Sequence, residues 1–236
     1  MVSAKLGPVG AAPLARSRWA RARWLVLAPH ADDETLGAGA LIQQAAGEGR
    51  LGGVVIVTDG GASHPHADDR ARRRLVAIRR VEARRAIHRL TGRATAQPIF
   101  LDWPDAAPPV VGDARFEASA RRLAWLCRRL RIDAVAVTAV SEPHCDHEAA
   151  GRLARRVVSL ARRPVALFEY GVWARPAAQG DLQLATRPLA AGRRALALAA
   201  HRSQRTSMMG PGFRLETPDR LSAACDRLYL RKAPHG

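Results

Sequence analysis

Two short polar stretches hold most of the groups in this chain that could do chemistry together. The first, Pro29-His30-Ala31-Asp32-Asp33-Glu34, follows the apolar run Leu25-Val26-Leu27-Ala28. The second, Glu142-Pro143-His144-Cys145-Asp146-His147-Glu148, follows the apolar run Ala134-Val135-Ala136-Val137. Imidazole nitrogen and carboxylate oxygen are both zinc ligands, and three such ligands with a position left open make a catalytic type of site. Capping of the next helix would account for one of Asp32 and Asp33. It requires neither a second carboxylate nor a histidine two residues earlier. Spacing does not decide which aspartate would be ligand and which base. His30 and Asp33, three residues apart, can reach one metal from one side of a turn, which leaves Asp32 free to take a proton.

The elements that must position these groups alternate between strand and helix. Short apolar runs at 25–28, 54–57, 97–101, 134–137 and 165–168 read as five buried strands. Between them lie helix-compatible segments: 34–44, Arg70 to Leu90 with an apolar stripe at Leu75, Ile78, Ala86 and Leu90, a helix carrying Phe116, Ala120, Leu123, Cys127 and Leu130, and Glu148 to Ala161. This alternation predicts a Rossmann-like α/β fold, a mostly parallel sheet with helices on both faces. Open sheets of that kind carry their ligands at the carboxyl ends of the strands, where both polar stretches fall. No Gly-x-Gly-x-x-Gly follows the first strand, so dinucleotide binding has no support. Beyond Phe168, an irregular lobe is expected to about Gly192, then helices around Arg193–Gln204 and around Leu221, Ala224, Cys225 and Leu228. The expected organisation is a flexible extension over residues 1–23 and a single domain over 24–236.

Some groups look chemical and are read otherwise. His64, His66, Asp68 and Asp69 have no second cluster to complete a metal site, and the acidic pair suits the start of a helix. Glu82 falls in an apolar helix stripe, where a carboxylate is costly unless paired; Arg79, three residues earlier, is the nearest candidate. Cysteines 127, 145 and 225 are an odd number without Cys-x-x-Cys spacing, which points away from a disulfide framework and to a reducing, cytoplasmic compartment. The first twenty residues lack the apolar core of a signal peptide, and no window approaches a membrane span.

The net charge of +17 comes almost wholly from arginine, since Lys5 and Lys232 are the only lysines. Its sign favours anionic partners, such as a phosphorylated sugar carrier, while runs such as Arg70 to Arg74 are read as solvated helix faces; no specific nucleic-acid partner is expected.

The two polar stretches resemble the signatures of the PIG-L (LmbE-like) N-acetylglucosaminyl deacetylases. The first is Pro-His-x-Asp-Asp-Glu, here with Ala31 where proline is commoner, and the second is His-x-Asp-His, matched by His144 to His147. Supporting similarity runs through Thr58–Pro65, Arg79-x-x-Glu82, Phe168–Trp173 and Ala200–Gln204. The resemblance implies zinc, or another divalent metal, on His30, Asp33 and His147. It implies Asp32 as general base, and His144, oriented by Asp146, as oxyanion stabiliser and acid. It also implies that Arg79 faces the substrate; Tyr170 and Trp173 are candidates for stacking on a sugar ring. The expected reaction is removal of an N-acetyl group from an N-acetylated amino sugar or its conjugate. A metal-dependent amidase or esterase on a non-sugar substrate would use the same residues. A basic binding module without catalysis would have no reason to keep all six.

Overall fold

The structure, a computed structural model, describes residues 10–65, 68–94, 96–173, 182–215 and 224–231. In chain order its strands and helices are β1 (Ala12–Pro13), β2 (Trp24–Ala28), α1 (Asp33–Gly47), β3 (Leu51–Thr58), α2 (Asp69–Thr91), β4 (Ile99–Trp103), α3 (Ala114–Arg129), β5 (Ala134–Thr138), α4 (Cys145–Leu160), β6 (Ala166–Tyr170), β7 (Gln183–Ala185), α5 (Arg193–Leu198), α6 (Arg202–Arg205) and β8 (Arg227–Arg231). Eight strands form one sheet in the order β1-β7-β8-β6-β5-β2-β3-β4. All neighbours pair in parallel except β8, which runs antiparallel to both β6 and β7.

The central strands are apolar throughout because helices cover both of their faces. Alternate residues enter two separate cores: Val26, Val54, Ile56 and Ala136 pack with residues of α1, α2 and α5, whereas Leu25, Leu27, Val55, Val57, Val135 and Val137 pack with α3 and α4. Each fully buried Val, Leu or Ile contributes roughly 1.5–3 kcal/mol, which fixes the register of β2 between β3 and β5. Helix ends follow local chemistry. Asp68 caps α2 by accepting a bond from the Ala71 N–H at 2.7 Å, and Gly92 ends it in the left-handed region at φ 67°.

Chain order reverses between β5 and β2, one strand being continued toward β3 and the other toward β6. Ligands in open α/β sheets bind outside the carboxyl ends of the strands at such a switch point. Both polar stretches leave the sheet there.

Four sequence expectations are corrected. Residues 10–23 are no loose extension: β1 pairs with β7, and Leu14 and Trp19 are buried, Trp19 edge-on to Phe168 at 5.1 Å. Arg193–Gln204 is two short helices separated at Ala199–His201. The helix placed around Leu221–Leu228 is not formed by the described part of that segment: Arg227-Leu228-Tyr229-Leu230-Arg231 is β8, where alternating polar and apolar residues suit a strand better than a helix stripe. Leu221 lies outside the described residues. The expected irregular lobe contains a short strand, β7.

Candidate active site

The first loop is held from behind. The Thr58 N–H and hydroxyl both donate to the Pro29 carbonyl, each at 2.9 Å, so the exit of β2 is tied to the end of β3. Asp33 then turns back on His30, its Oδ2 accepting from the His30 N–H at 2.9 Å and lying 3.2 Å from His30 Nδ1. From the second loop His147 Nε2 comes within 3.4 Å of the same oxygen. Donor atoms of His30, Asp33 and His147 all lie within 4.8 Å of one another.

This donor set suits a metal. His147 is fully buried, its Nδ1 is 2.6 Å from Glu142 Oε2, and its Nε2 has no hydrogen-bond partner among the described residues. A carboxylate on Nδ1 fixes the proton there and leaves the Nε2 lone pair free, the usual arrangement behind a ligating histidine. Glu142 is in turn held by the Trp173 N–H at 3.1 Å. Two imidazoles and a carboxylate with room for further ligands match catalytic zinc.

Charge in the cluster is strongly perturbed. Burial opposes a charge on His30, yet bonds to Asp105, Asp146 and Asp33 hold its pKa well above the ordinary value. Burial likewise opposes a charged His147, and the Asp33 charge and Glu142 bond raise its pKa nonetheless. Burial would raise Asp33, but His147 and His30 bring it below the usual carboxylate range. The metal-free cluster thus keeps protons where a cation would sit.

Asp32 faces the same cavity and is only 3% exposed. Its backbone is at φ 143°, a conformation that L side chains rarely adopt, and its N–H donates to Glu34 Oε2 at 2.9 Å. Burial, then the neighbouring Asp33 charge, push its pKa up to about 7. His144 also lines the cavity, with a side chain 40% exposed. Burial and the nearby His30 charge lower its pKa.

His144 meets Asp146 by a main-chain hydrogen bond, and the Asp146 carboxylate stands further off. His144 Nδ1 accepts from the Asp146 N–H at 3.2 Å, while Asp146 Oδ2 sits 2.9 Å from His30 Nε2 and 3.9 Å from His144 Nδ1. As cap of α4, the imidazole has turned its nitrogen to the main chain.

Arg79 is buried beneath the cavity and donates to the Gly60 carbonyl at 3.0 Å and to Ser63 Oγ at 2.9 Å. Gly60 is required there, since a Cβ would stand 2.5 Å from the guanidinium carbon. The expected Arg79–Glu82 pair is corrected: Glu82 accepts from the Ser203 N–H at 2.8 Å and the Ser203 hydroxyl at 2.6 Å. Tyr170 is also corrected. Its ring is fully buried against Gly37 and its hydroxyl donates to the Leu27 carbonyl at 2.8 Å, so it is core and offers no stacking surface. Trp173 does reach the cavity and stands edge-on to Phe213 at 6.4 Å. The whole cavity measures about 400 Å³.

Three residues with a place here had no assigned role in the sequence. Asp105 accepts from the Ala62 N–H at 2.9 Å and lies 3.4 Å from His30 Nε2; despite burial, its bond to His30 holds its carboxyl below the usual range. Glu142 stood inside the second polar stretch, and Gln204 in a segment of family likeness. Of the decoy residues, His64 is buried beside Ser63 and joins no metal-capable group among the described residues, and His66 lies outside them.

Solved structures share this fold. N,N'-diacetylchitobiose deacetylase from Pyrococcus horikoshii is 20% identical, with a TM-score of 0.61 over 82% of this chain and 75% of that one. Teicoplanin deacetylase Orf2, in a zinc-inhibited form, is 19% identical, with a TM-score of 0.57 over 88% of this chain and 97% of its own. GalB, the 4-carboxy-2-hydroxymuconate hydratase of Pseudomonas putida, is 21% identical with a TM-score of 0.55, over 76% and 78% of the two chains. No curated protein matches by sequence. The family profile of PIG-L, described as GlcNAc-PI de-N-acetylase, matches residues 25–158, from β2 through both polar loops to the last turn of α4, and the chain therefore belongs to the PIG-L family of deacetylases.

Proposed function

We propose that the protein is a zinc-dependent hydrolase that removes the N-acetyl group of an N-acetylated amino sugar or its conjugate. The observation that carries this is the meeting of His30, Asp33 and His147, with no hydrogen-bond partner for His147 Nε2 among the described residues, beside a buried carboxylate that is not among the three. A bound zinc supplies Lewis acidity, polarising the acyl carbonyl and acidifying a water molecule. Asp32 takes the proton from that water, a task suited to a base with a pKa near neutrality. His144, on the opposite loop, steadies the developing negative charge on the carbonyl oxygen; that charge opposes the lowering of its pKa and favours the imidazolium, which delivers a proton to the leaving nitrogen. Its exposure allows it to recover that proton from solvent. Asp146 and Glu142 orient His30 and His147. Free Cys127, Cys145 and Cys225 fit a cytoplasmic setting.

We extend the proposal to an anionic substrate, because arginine is not deployed evenly. On α4, Arg152, Arg155 and Arg156 each pair with a carboxylate, Glu148, Glu169 and Glu117. Among the described residues, the ion pairs of α2 are Arg72–Asp59 and Arg80–Asp102, and none of Arg70, Arg73, Arg74, Arg84 and Arg85 meets a carboxylate there. That helix runs beside the cavity and sends Arg79 beneath it.

Acetate release from a panel of N-acetyl sugars, neutral and phosphorylated, tests both statements. Turnover that a chelator abolishes and zinc restores is the expected result, with kcat/KM for the phosphorylated sugar falling as salt rises while kcat holds. No acetate from any N-acetyl substrate would defeat the deacetylase reading; equal use of neutral sugar at low salt would defeat the anionic one.

A further inference from the structure

Gln204, near the end of α6, is 1% exposed, and its Nε2 donates to Asp32 Oδ2 at 2.7 Å. Its Oε1 is buried with no hydrogen-bond partner among the described residues. In the ionised form that a base requires, Asp32 only accepts, and the amide turns its NH2 toward it and its carbonyl away. A buried carbonyl without a partner is a net cost to folding, one that an apolar side chain of similar size would avoid. Among the described residues the one bond made by this side chain goes to Asp32, and that bond is what explains its polarity.

The segment that carries Gln204 is anchored on two helices. Ser203 binds Glu82 of α2 through both its N–H and its hydroxyl. His201, fully buried, lies 3.7 Å from Glu34 of α1, whose other oxygen accepts the Asp32 N–H. The Leu215 N–H donates to the Gln204 carbonyl at 2.7 Å. Asp32 itself sits on a strained backbone at φ 143°, where its side chain direction depends on what holds it.

Resting on the reading of Asp32 as base, we infer that Gln204 is a positioning residue: it fixes Asp32 Oδ2 and so directs Oδ1 into the cavity. It acts through Asp32 and touches no reacting atom. A base displaced by about 1 Å loses on the order of 100-fold in rate, and that is the scale of effect Gln204 controls.

The test is Gln204→Leu, alone and combined with Asp32→Asn. Expected for the single variant are an unchanged or higher melting temperature, wild-type metal content, KM within about twofold and kcat down roughly 10- to 100-fold. In the double variant the leucine should add no more than about twofold to the loss from Asp32→Asn, since both remove one device. A kcat within twofold of wild type, a loss that multiplies with that of Asp32→Asn, or a loss that follows metal content would each overturn the inference. A second measurement needs neither substrate nor metal. In the metal-free protein, the side-chain amide resonances of Gln204 should exchange slowly with solvent and move on Asp32→Ala. Resonances that do not respond would overturn the pairing even if Gln204→Leu fails to fold. If wild type hydrolyses no N-acetyl substrate, the deacetylase reading falls, and the resonances still decide whether Gln204 holds Asp32.

Discussion

The two loops that meet in the cavity leave neighbouring strands in the same direction but are built to different standards. The loop after β2 is closed: Asp32 and Asp33 are 3% and 1% exposed, and the exit of the strand is tied down by Thr58. The loop after β5 buries Asp146 and His147 completely yet leaves the His144 side chain 40% exposed. Burial gives fixed geometry and perturbed charge, and exposure gives proton exchange with solvent. In the proposed mechanism the metal and the base need the first, and the acid needs the second to be reset.

The largest effect should come from the residues shared between the loops. Asp33→Ala and His147→Ala should each lose bound metal and all measurable turnover, as read by elemental analysis and acetate release. Full metal in both variants would separate the loops and remove the site. Next, Asp32→Asn should keep its metal and lose about 10²–10⁴-fold in kcat, the usual range for a general base. His144→Ala should fall within the same range, and the contrast in exposure predicts a difference in repair: added imidazole should restore part of the His144→Ala rate and none of the Asp32→Asn rate. Equal rescue, or none, would mean that the openness of the second loop is irrelevant to catalysis.

A smaller effect distinguishes the metal-free protein. The folded-state pKa values of His30 and His147 are raised, so their contribution is fully present below the unfolded value near 6.5 and is lost as pH rises through the folded values. Asp32 has the same sign: its folded pKa of about 7 means the folded protein keeps a proton that the unfolded chain gives up above about 4. Melting temperature in chelator should therefore fall as pH rises, from about 4 to about 7 for Asp32 and onward through the raised histidine values. Zinc should flatten the histidine part of the dependence by taking the place of the protons on His30 and His147. The smallest effect is at Cys145, an exposed residue whose thiol donates to Asp146 Oδ1 at 3.6 Å; Cys145→Ala should leave activity and metal content within about twofold, and thiol reagents should reach it before buried Cys127 because it is accessible, although the Cys145 thiol is also raised.

Much of this site was legible because its chemistry lies in local order. An apolar run followed by His, Asp and Asp marks a strand end with ligands, and two such ends suffice to locate the switch point of a parallel sheet. What was not legible depends on contacts between distant residues. Glu82 seemed to need Arg79 because a helix shows only its neighbours three and four residues away; its partner Ser203 is 121 residues further on. Gln204 is 172 residues from Asp32. Tyr170 ends β6 beside polar loops, and nothing in its surroundings in sequence says that its ring turns inward against Gly37 rather than toward the cavity. β8 was obscured because Ala224, Cys225 and Leu228 also match a helix stripe, and only the alternation from Arg227 to Arg231 separates the two.

The position of β8 also bears on how the chain is made. β1 precedes the strands of the site in the chain, but its partner in the sheet is β7, and among the described strands β7 is joined to the rest through β8. The strands that carry the site, β2, β3, β5 and β6, can associate as they emerge, because each finds its neighbour among segments already synthesised. β1 must wait for some two hundred residues of translation. Asp226, which immediately precedes β8, binds the Leu41 N–H of α1 at 2.8 Å and pairs with Arg194. Synthesis therefore builds the candidate site from the middle of the sheet, and β1, β7 and β8 are fastened together after it.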